Sequence, residues 1–287
     1  MQRKIAVILV LFFVVLSFGK LWHWTRDGFK VSRISSKFIS NEEVSREFYE
    51  NEAAFSQLYY YLGRGRQSYV FSSEDSRFVL KIPRLDRYEV PFWVKSIPFF
   101  EAYQRAVFID KEKRSQQFMK SLELTNEKLK EETGTLYVHS LRTSGLNKKV
   151  KIFDRMKRSY LIDLDQTCFI LQEKKPLMWP IFKKHLKTQD QQGAKKMLRA
   201  FLAFLLSCER KGIANKDPTF LKNFSYEEGR VIQFDIGSFY EMGSEKPLRQ
   251  ALFERLAPLR SWLQEQDAEL FLWLDEEVNA MGLSKEP

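Results

Sequence analysis

The alternation of apolar and polar positions divides the chain into an apolar leader, a strand-rich stretch and a helix-rich stretch. Ile5 to Gly19 is an apolar run without a charge. As a helix it would span about 22 Å, short of the roughly 30 Å hydrocarbon core of a bilayer. Extension to Trp24 closes the gap, with Lys20 snorkelling and Trp22 and Trp24 at the interface. Ser40-Asn-Glu-Glu43 is a capping signal that predicts a helix from about Glu42 to Tyr60. Leu58 to Leu62, Tyr69 to Phe71 and Phe78 to Ile82 are β-prone runs separated by polar turns, the pattern of a β-meander. Pro83 to Phe100 is apolar but punctuated by proline, so no long helix begins there. From Glu101 to Glu132 the period is helical, with Phe118, Leu122, Thr125 and Leu129 on one face. Four further strands are predicted at 135–141, 150–154, 160–164 and 168–172. A helix follows at 189–211, ending at Gly212, and two amphipathic helices at 247–262 and 266–281.

Charge changes this picture in two ways. The formal net charge of +10 favours anionic partners. The basic residues are scattered through turns without a nucleic-acid motif, so nucleic acid is not an expected partner. Near the leader, Lys20, Arg26, Lys30, Arg33 and Lys37 outweigh Arg3 and Lys4, which places the folded part in the cytosol if residues 5–24 span a membrane. Ser17-Phe-Gly19 also suits a signal peptidase, so the leader is either an anchor or a signal segment; the tryptophans after it favour the anchor. Cys168 and Cys208 sit in apolar contexts without metal spacing and read as buried thiols. His23, His139 and His185 have no metal or triad partner by spacing.

The candidate chemistry lies in two places. Asp217 opens a loop after the helix ending near Lys211. Tyr226-Glu-Glu-Gly229 is a turn signal, and Asp235-Ile-Gly237 ends the β-prone run that follows. Two carboxylates on two loops joined by a hairpin suit phosphoryl transfer, one for an acceptor hydroxyl and one for Mg²⁺. Upstream, Gly63-Arg-Gly65 forms a glycine-rich turn, and Lys81 lies on a strand after it. Such a turn lets backbone N–H groups approach phosphate oxygens, and the lysine supplies a point charge.

The ordered set of glycine-rich turn, strand lysine, long helical region, Asp217 loop and Asp-x-Gly resembles the protein-kinase-like superfamily over roughly Tyr59 to Tyr240. It is more similar to lipopolysaccharide-sugar kinases and antibiotic phosphotransferases than to ordinary Ser/Thr kinases, because only about fifty residues follow Gly237. The resemblance implies an α+β, two-lobed fold behind an N-terminal transmembrane helix. Its first lobe (58–173) would be an antiparallel sheet with one main helix. Its second (174–287) would be reduced and mainly helical, and residues 25–57 would connect the anchor to both. It also implies ATP and Mg²⁺. Gly63, Gly65 and Ser68 would cover the phosphates, with Val70 and Lys81 beside the nucleotide. Asp217 would orient the acceptor and Asp235 would hold the metal. A glutamate of the long helix, Glu123 in preference to Glu112, would pair with Lys81, and backbone groups near Gln172 to Lys174 would hold the adenine. There are departures. Ser68 replaces the third glycine, Asn215-Lys216 stand where His-Arg is usual, and Ile236 replaces Phe. Asn223 lies one residue beyond the usual metal-binding position, held here by Lys222, and serves only if the loop bulges. The implied activity is transfer of the ATP γ-phosphoryl group to a hydroxyl acceptor, with a glycolipid or other membrane-associated substrate in view. The alternative is a catalytically inactive pseudokinase acting as a membrane-bound scaffold.

Overall fold

The computed structural model describes residues 25, 27–31, 34, 45–95, 101–217, 223–243 and 248–280. The expected anchor at residues 5–24 and Lys222 lie outside the described residues. Among those described, no helix is long and apolar enough to cross a membrane. The chain forms two compact units, one made of the residues up to Pro91 and Tyr137–Leu171, the other of Phe92–Leu136 and Gln172 onward. The long helical region, expected with the first lobe, groups with the second unit.

The first unit is built on a seven-stranded sheet. The strands are β1 (Leu58–Arg64), β2 (Ser68–Ser73), β3 (Phe78–Pro83), β4 (Thr135–His139), β5 (Lys149–Phe153), β6 (Ser159–Asp163) and β7 (Phe169–Glu173), in the order β4-β7-β3-β2-β1-β5-β6. β1, β2 and β3 pair antiparallel, as the meander predicts. The sheet is not antiparallel throughout, however. β5 pairs with β1 in parallel, Tyr59 beside Ile152. The chain between them supplies the crossover that a parallel pair requires.

Two short helices, α1 (Arg46–Glu50) and α2 (Glu52–Phe55), replace the single helix expected over 42–60. Asn51 interrupts it: its side-chain amide donates to the Glu47 carbonyl (2.9 Å), and its own backbone leaves the helical region. The break lets Phe48 and Phe55 stack (centroids 4.7 Å) and lets Phe55 pack edge-on against Phe169 (5.6 Å). Residues 25–57 are therefore more than a connection. Asp27 and Gly28 both have positive φ (48° and 71°), a turn that glycine makes at little cost. The turn drives Phe29 into the sheet, where it is 1% exposed and meets Tyr69, Phe71 and Tyr160 edge-on. Burying a ring of this size contributes about 2–3 kcal/mol.

His139 is buried at the end of β4 and stacks on Phe169 (5.1 Å). Burial pushes its imidazole down to about 4, with Asp165 opposing. Burial alone would raise Asp165, but hydrogen bonds from Thr143 (2.6 Å) and the Leu146 and Asn147 amides hold its carboxyl below the ordinary range.

The second unit is mainly helical. Its helices are α3 (Phe92–Lys95), α4 (Glu101–Lys128), α5 (Lys130–Thr133), α6 (Met178–Lys187), α7 (Gln191–Arg210), α8 (Leu248–Gln266) and α9 (Ala268–Ala280). α4 buries Phe118, Ser121, Leu122, Leu124 and Thr125, the predicted face with a serine in it. Asp190 caps α7 by accepting from the Gly193 amide (2.9 Å) and also meets His185 Nδ1 (2.8 Å). Cys168 in the first unit and Cys208 in the second are free, buried thiols, as expected; burial pushes both up to about 12.

A folded-state His139 near 4 and an unfolded one near 6.5 mean that the unfolded chain takes up the extra proton first. Stability is therefore expected to fall as pH drops through that window, by up to roughly 3 kcal/mol. Thermal unfolding across the window checks this, and His139→Gln, which cannot titrate, should remove that share of the slope.

Candidate functional site

In the first unit, strand register brings the glycine turn and the lysine to one level. Gly63 lies opposite Val70, and Val70 lies opposite Lys81, across three adjacent strands. Residues directly opposite in a sheet share a face, so Gly63, Val70 and Lys81 form one row. Ser68, two residues before Val70 and opposite Pro83, shares that face at the mouth of the turn. A bulge at Leu62, between the pairs Tyr61–Phe71 and Gly63–Val70, sets this alignment. Lys81 is buried, 9% exposed.

The glycines answer to no demand of the fold itself. Neither Gly63 nor Gly65 has a positive φ. A Cβ on Gly63 would meet nothing within 4 Å among the described residues, and one on Gly65 only the Ser68 carbonyl at 3.7 Å. Open space above a backbone is what close approach by phosphate oxygens requires. The Gly65 N–H is already spent within the turn, donating to the Ser68 carbonyl (2.9 Å).

In the second unit, two small ladders carry the carboxylates. β8 (Ile213–Asn215) pairs with β11 (Phe239–Glu241), and β9 (Phe224–Glu227) pairs with β10 (Arg230–Gln233). The β9–β10 hairpin closes through Glu228 and Gly229, both at positive φ (52° and 84°), the two-residue turn that Glu-Glu-Gly signals. Asp217 follows β8 and Asp235 follows β10.

One buried side chain ties these loops together. The Asn215 amide nitrogen donates to the Asp235 carbonyl (3.3 Å), and its oxygen accepts from the Asp217 N–H (2.8 Å). The Lys216 N–H donates to the Ser238 carbonyl (3.0 Å) and the Phe234 N–H to the Asn223 carbonyl (3.0 Å). Asn223 Nδ2 donates to the Asp217 carbonyl (3.3 Å), which leaves the amide oxygen as its remaining polar atom. Asp235, Asn223 and Asp217 are thus brought into one network. The carboxylate of Asp235 and the amide oxygen of Asn223 are hard oxygen donors, the kind that Mg²⁺ accepts. Among the described residues no cluster of three His, Cys, Asp or Glu side chains could hold a metal.

Two contributors had faint sequence signals. Asn215 stood out only as a replacement for His-Arg. Ser121 is a polar residue on the apolar stripe of α4. Its hydroxyl donates to the Ile236 carbonyl and accepts from the Phe239 N–H (2.8 Å), so it clamps both sides of the Asp235-Ile236-Gly237 turn.

Glu123 lies on the exposed side of α4 and pairs with Lys120 (3.3 Å); Glu112 is also exposed. The Glu173 N–H, one of the groups expected to meet adenine, donates to the Gly134 carbonyl (2.8 Å).

No protein-family model and no curated protein matches the chain. The chain is similar to solved structures of WbdD. WbdD with the kinase inhibitor LY294002 matches at 15% identity and a TM-score of 0.38, over 69% of this chain and 37% of that one. The bifunctional kinase-methyltransferase WbdD at medium resolution matches at 16% and 0.37, over 68% and 35%. Monomeric WbdD matches at 15% and 0.39, over 74% and 41%. The chain therefore spans less than half the length of the WbdD chains it matches.

Ser121→Ala would leave the buried Phe239 N–H and Ile236 carbonyl without this partner. It is expected to cost about 1–3 kcal/mol of stability and to speed hydrogen exchange at the Phe239 amide. Unchanged exchange there would show that the clamp is dispensable.

Proposed function

We propose that this chain is a kinase-like phosphotransferase that moves the γ-phosphoryl group of ATP to a hydroxyl acceptor and is tethered to a membrane through residues 5–24. The observation that carries the reading is the Asn215 amide, which holds the Asp217 and Asp235 loops at a set spacing from both of its ends. A pair of carboxylate loops locked together by a buried side chain suits a reaction whose catalysis is positioning and charge stabilisation.

In this reading the open backbone of Gly63 and Gly65, with Ser68, covers the phosphates, Val70 lies beside the nucleotide, and the Lys81 ammonium offsets phosphate charge. Asp217 accepts a hydrogen bond from the acceptor hydroxyl and orients its oxygen. A new bond forms from that oxygen to the γ-phosphorus, the bond from phosphorus to the bridging oxygen breaks, and ADP leaves. The hydroxyl proton passes to Asp217 and on to water. Asp235 and Asn223 would hold Mg²⁺, which when bound offsets the negative charge of the phosphates. A glycolipid or other membrane-associated hydroxyl fits a tethered, basic chain.

A second reading, a nucleotide-binding or purely structural pseudokinase, is favoured by the backbone groups already spent. The Gly65 and Glu173 N–H groups both donate internally.

Mg²⁺-dependent thermal stabilisation by ATP should appear in the wild type and be lost in Lys81→Met and Asp235→Ala. Asp217→Ala should retain ATP binding but lose phosphotransfer by 10²-fold or more, the order expected of a positioned acid–base group. Stabilisation without turnover of any acceptor supports the scaffold, and no stabilisation at all defeats both nucleotide-dependent readings.

A further inference from the structure

The glycine turn carries arginines as well as glycines, and Arg64 lies on the face of the sheet that Lys81 does not share. Arg64 is opposite Tyr69, and Tyr69 is opposite Ile82, so this row alternates with the Gly63–Val70–Lys81 row. The Arg84 guanidinium lies over the Tyr69 ring (5.5 Å). At the turn itself, Arg87 donates through Nη1 to the Arg66 carbonyl, and the Arg84 N–H donates to the Gln67 carbonyl (2.7 Å). Arg64, Arg66, Arg84 and Arg87 thus gather at one end of β1–β3, with Asp86 and Glu89 as the nearby acidic residues in sequence. Burial, then the charges of Arg84 and Arg66, holds Arg87 below the ordinary guanidinium range, and Asp86 offsets this only in part.

The chain emerging from the apolar leader docks on this same face. Arg64 Nη1 donates to the Asp27 carbonyl (2.7 Å), the Tyr69 hydroxyl to the Gly28 carbonyl (2.8 Å) and the Tyr61 hydroxyl to the Asp27 carboxylate (2.8 Å). Arg155 pairs with the same carboxylate (3.3 Å). The three residue-to-residue steps from position 24 to Asp27 reach at most about 11 Å. That is close to the Debye length of about 8–10 Å at ordinary ionic strength. If residues 5–24 lie in a bilayer, these arginines stand within electrostatic reach of its head groups.

We propose that this arginine face docks on the anionic head groups of a phospholipid membrane and holds the first unit's sheet in a set orientation beside the anchor. The inference rests on the reading of residues 5–24 as a membrane anchor. It does not depend on phosphotransfer.

The test is flotation of the full chain with limiting lipid, on neutral phosphatidylcholine vesicles and on vesicles containing phosphatidylglycerol. Binding to neutral vesicles reports the anchor, and the gain on anionic vesicles reports the arginines. At low salt the wild type should gain at least about tenfold, since each arginine near an anionic surface is worth roughly fivefold. High salt should erase most of that gain. The combined Arg64→Gln, Arg66→Gln, Arg84→Gln and Arg87→Gln variant should bind neutral vesicles like the wild type and lose the gain. The same four positions changed to Lys should keep it, as should Gln at Lys183, Lys184, Lys187 and Lys196, an equal loss of charge in the other unit. If the fourfold variant fails to unfold cooperatively, exposed Arg66→Gln alone should remove a several-fold share. A gain that survives in the Gln variants, or no gain in the wild type, overturns the proposal. Loss of the gain to soluble pyrophosphate or a short RNA at matched ionic strength assigns the arginines to that ligand instead and also overturns it. Wild-type chain that ignores neutral vesicles refutes the anchor and with it the orientation beside the anchor, so that outcome also overturns the proposal.

Discussion

A single buried amide ties together the two aspartate loops of the second unit. Asn215 is 8% exposed, and both ends of its side chain are satisfied by backbone belonging to the two aspartate loops. A buried amide with both ends paired is directional: it fixes which way each strand end turns and how far apart the loops stand. Around it, β8 with β11 and β9 with β10 are too short to be stable alone, each being two strands of three or four residues. They persist because Phe224 and Ile232 are buried against helices and because Ser121 anchors β11 to α4. The loops are therefore held by side-chain hydrogen bonds to backbone, a mode in which one misplaced polar atom costs more than one lost apolar contact.

The first unit solves a different problem. Its sheet has two chemically distinct faces at the glycine turn, and the bulge at Leu62 keeps them in phase. In an unbulged ladder Leu62 would stand opposite Val70 in the lysine row, and Gly63 would move to the Tyr69 row. A flexible row beside Lys81 and a charged row beside Tyr69 are thus two consequences of one irregularity.

Much of this was legible in the sequence where the signal was local. The Glu228–Gly229 hairpin, the α7 boundaries, the apolar face of α4 and the β1–β3 meander follow from turn chemistry and periodicity, which act over a few residues. What was hidden depends on distant partners. The parallel pairing of β1 with β5 has no local signature. The break at Asn51, which lets Phe48 stack on Phe55, has a distant ring as its beneficiary, and no propensity reveals that. Ser121 could have been suspected, since a serine on an apolar helix face needs a partner, but nothing in the sequence said that the partner was the backbone of Ile236 and Phe239. The side of α4 that packs is set by Phe118, Leu122 and Thr125, and Glu123 stands on the other side.

The first unit is discontinuous: residues 92–136 leave it and return. In the sheet order β3 stands between β2 and β7, and β7 comes about ninety positions later in the chain. A nascent chain that has reached Pro91 has therefore made three strands of a seven-stranded sheet and must wait with one flank of β3 unpaired, an adhesive edge. Neither unit can be cut out as an uninterrupted segment, and a break in the chain between them would strand half of one sheet. Translation speed and chaperone cover over this interval bear on the yield of this protein more than on that of a chain whose lobes follow one another.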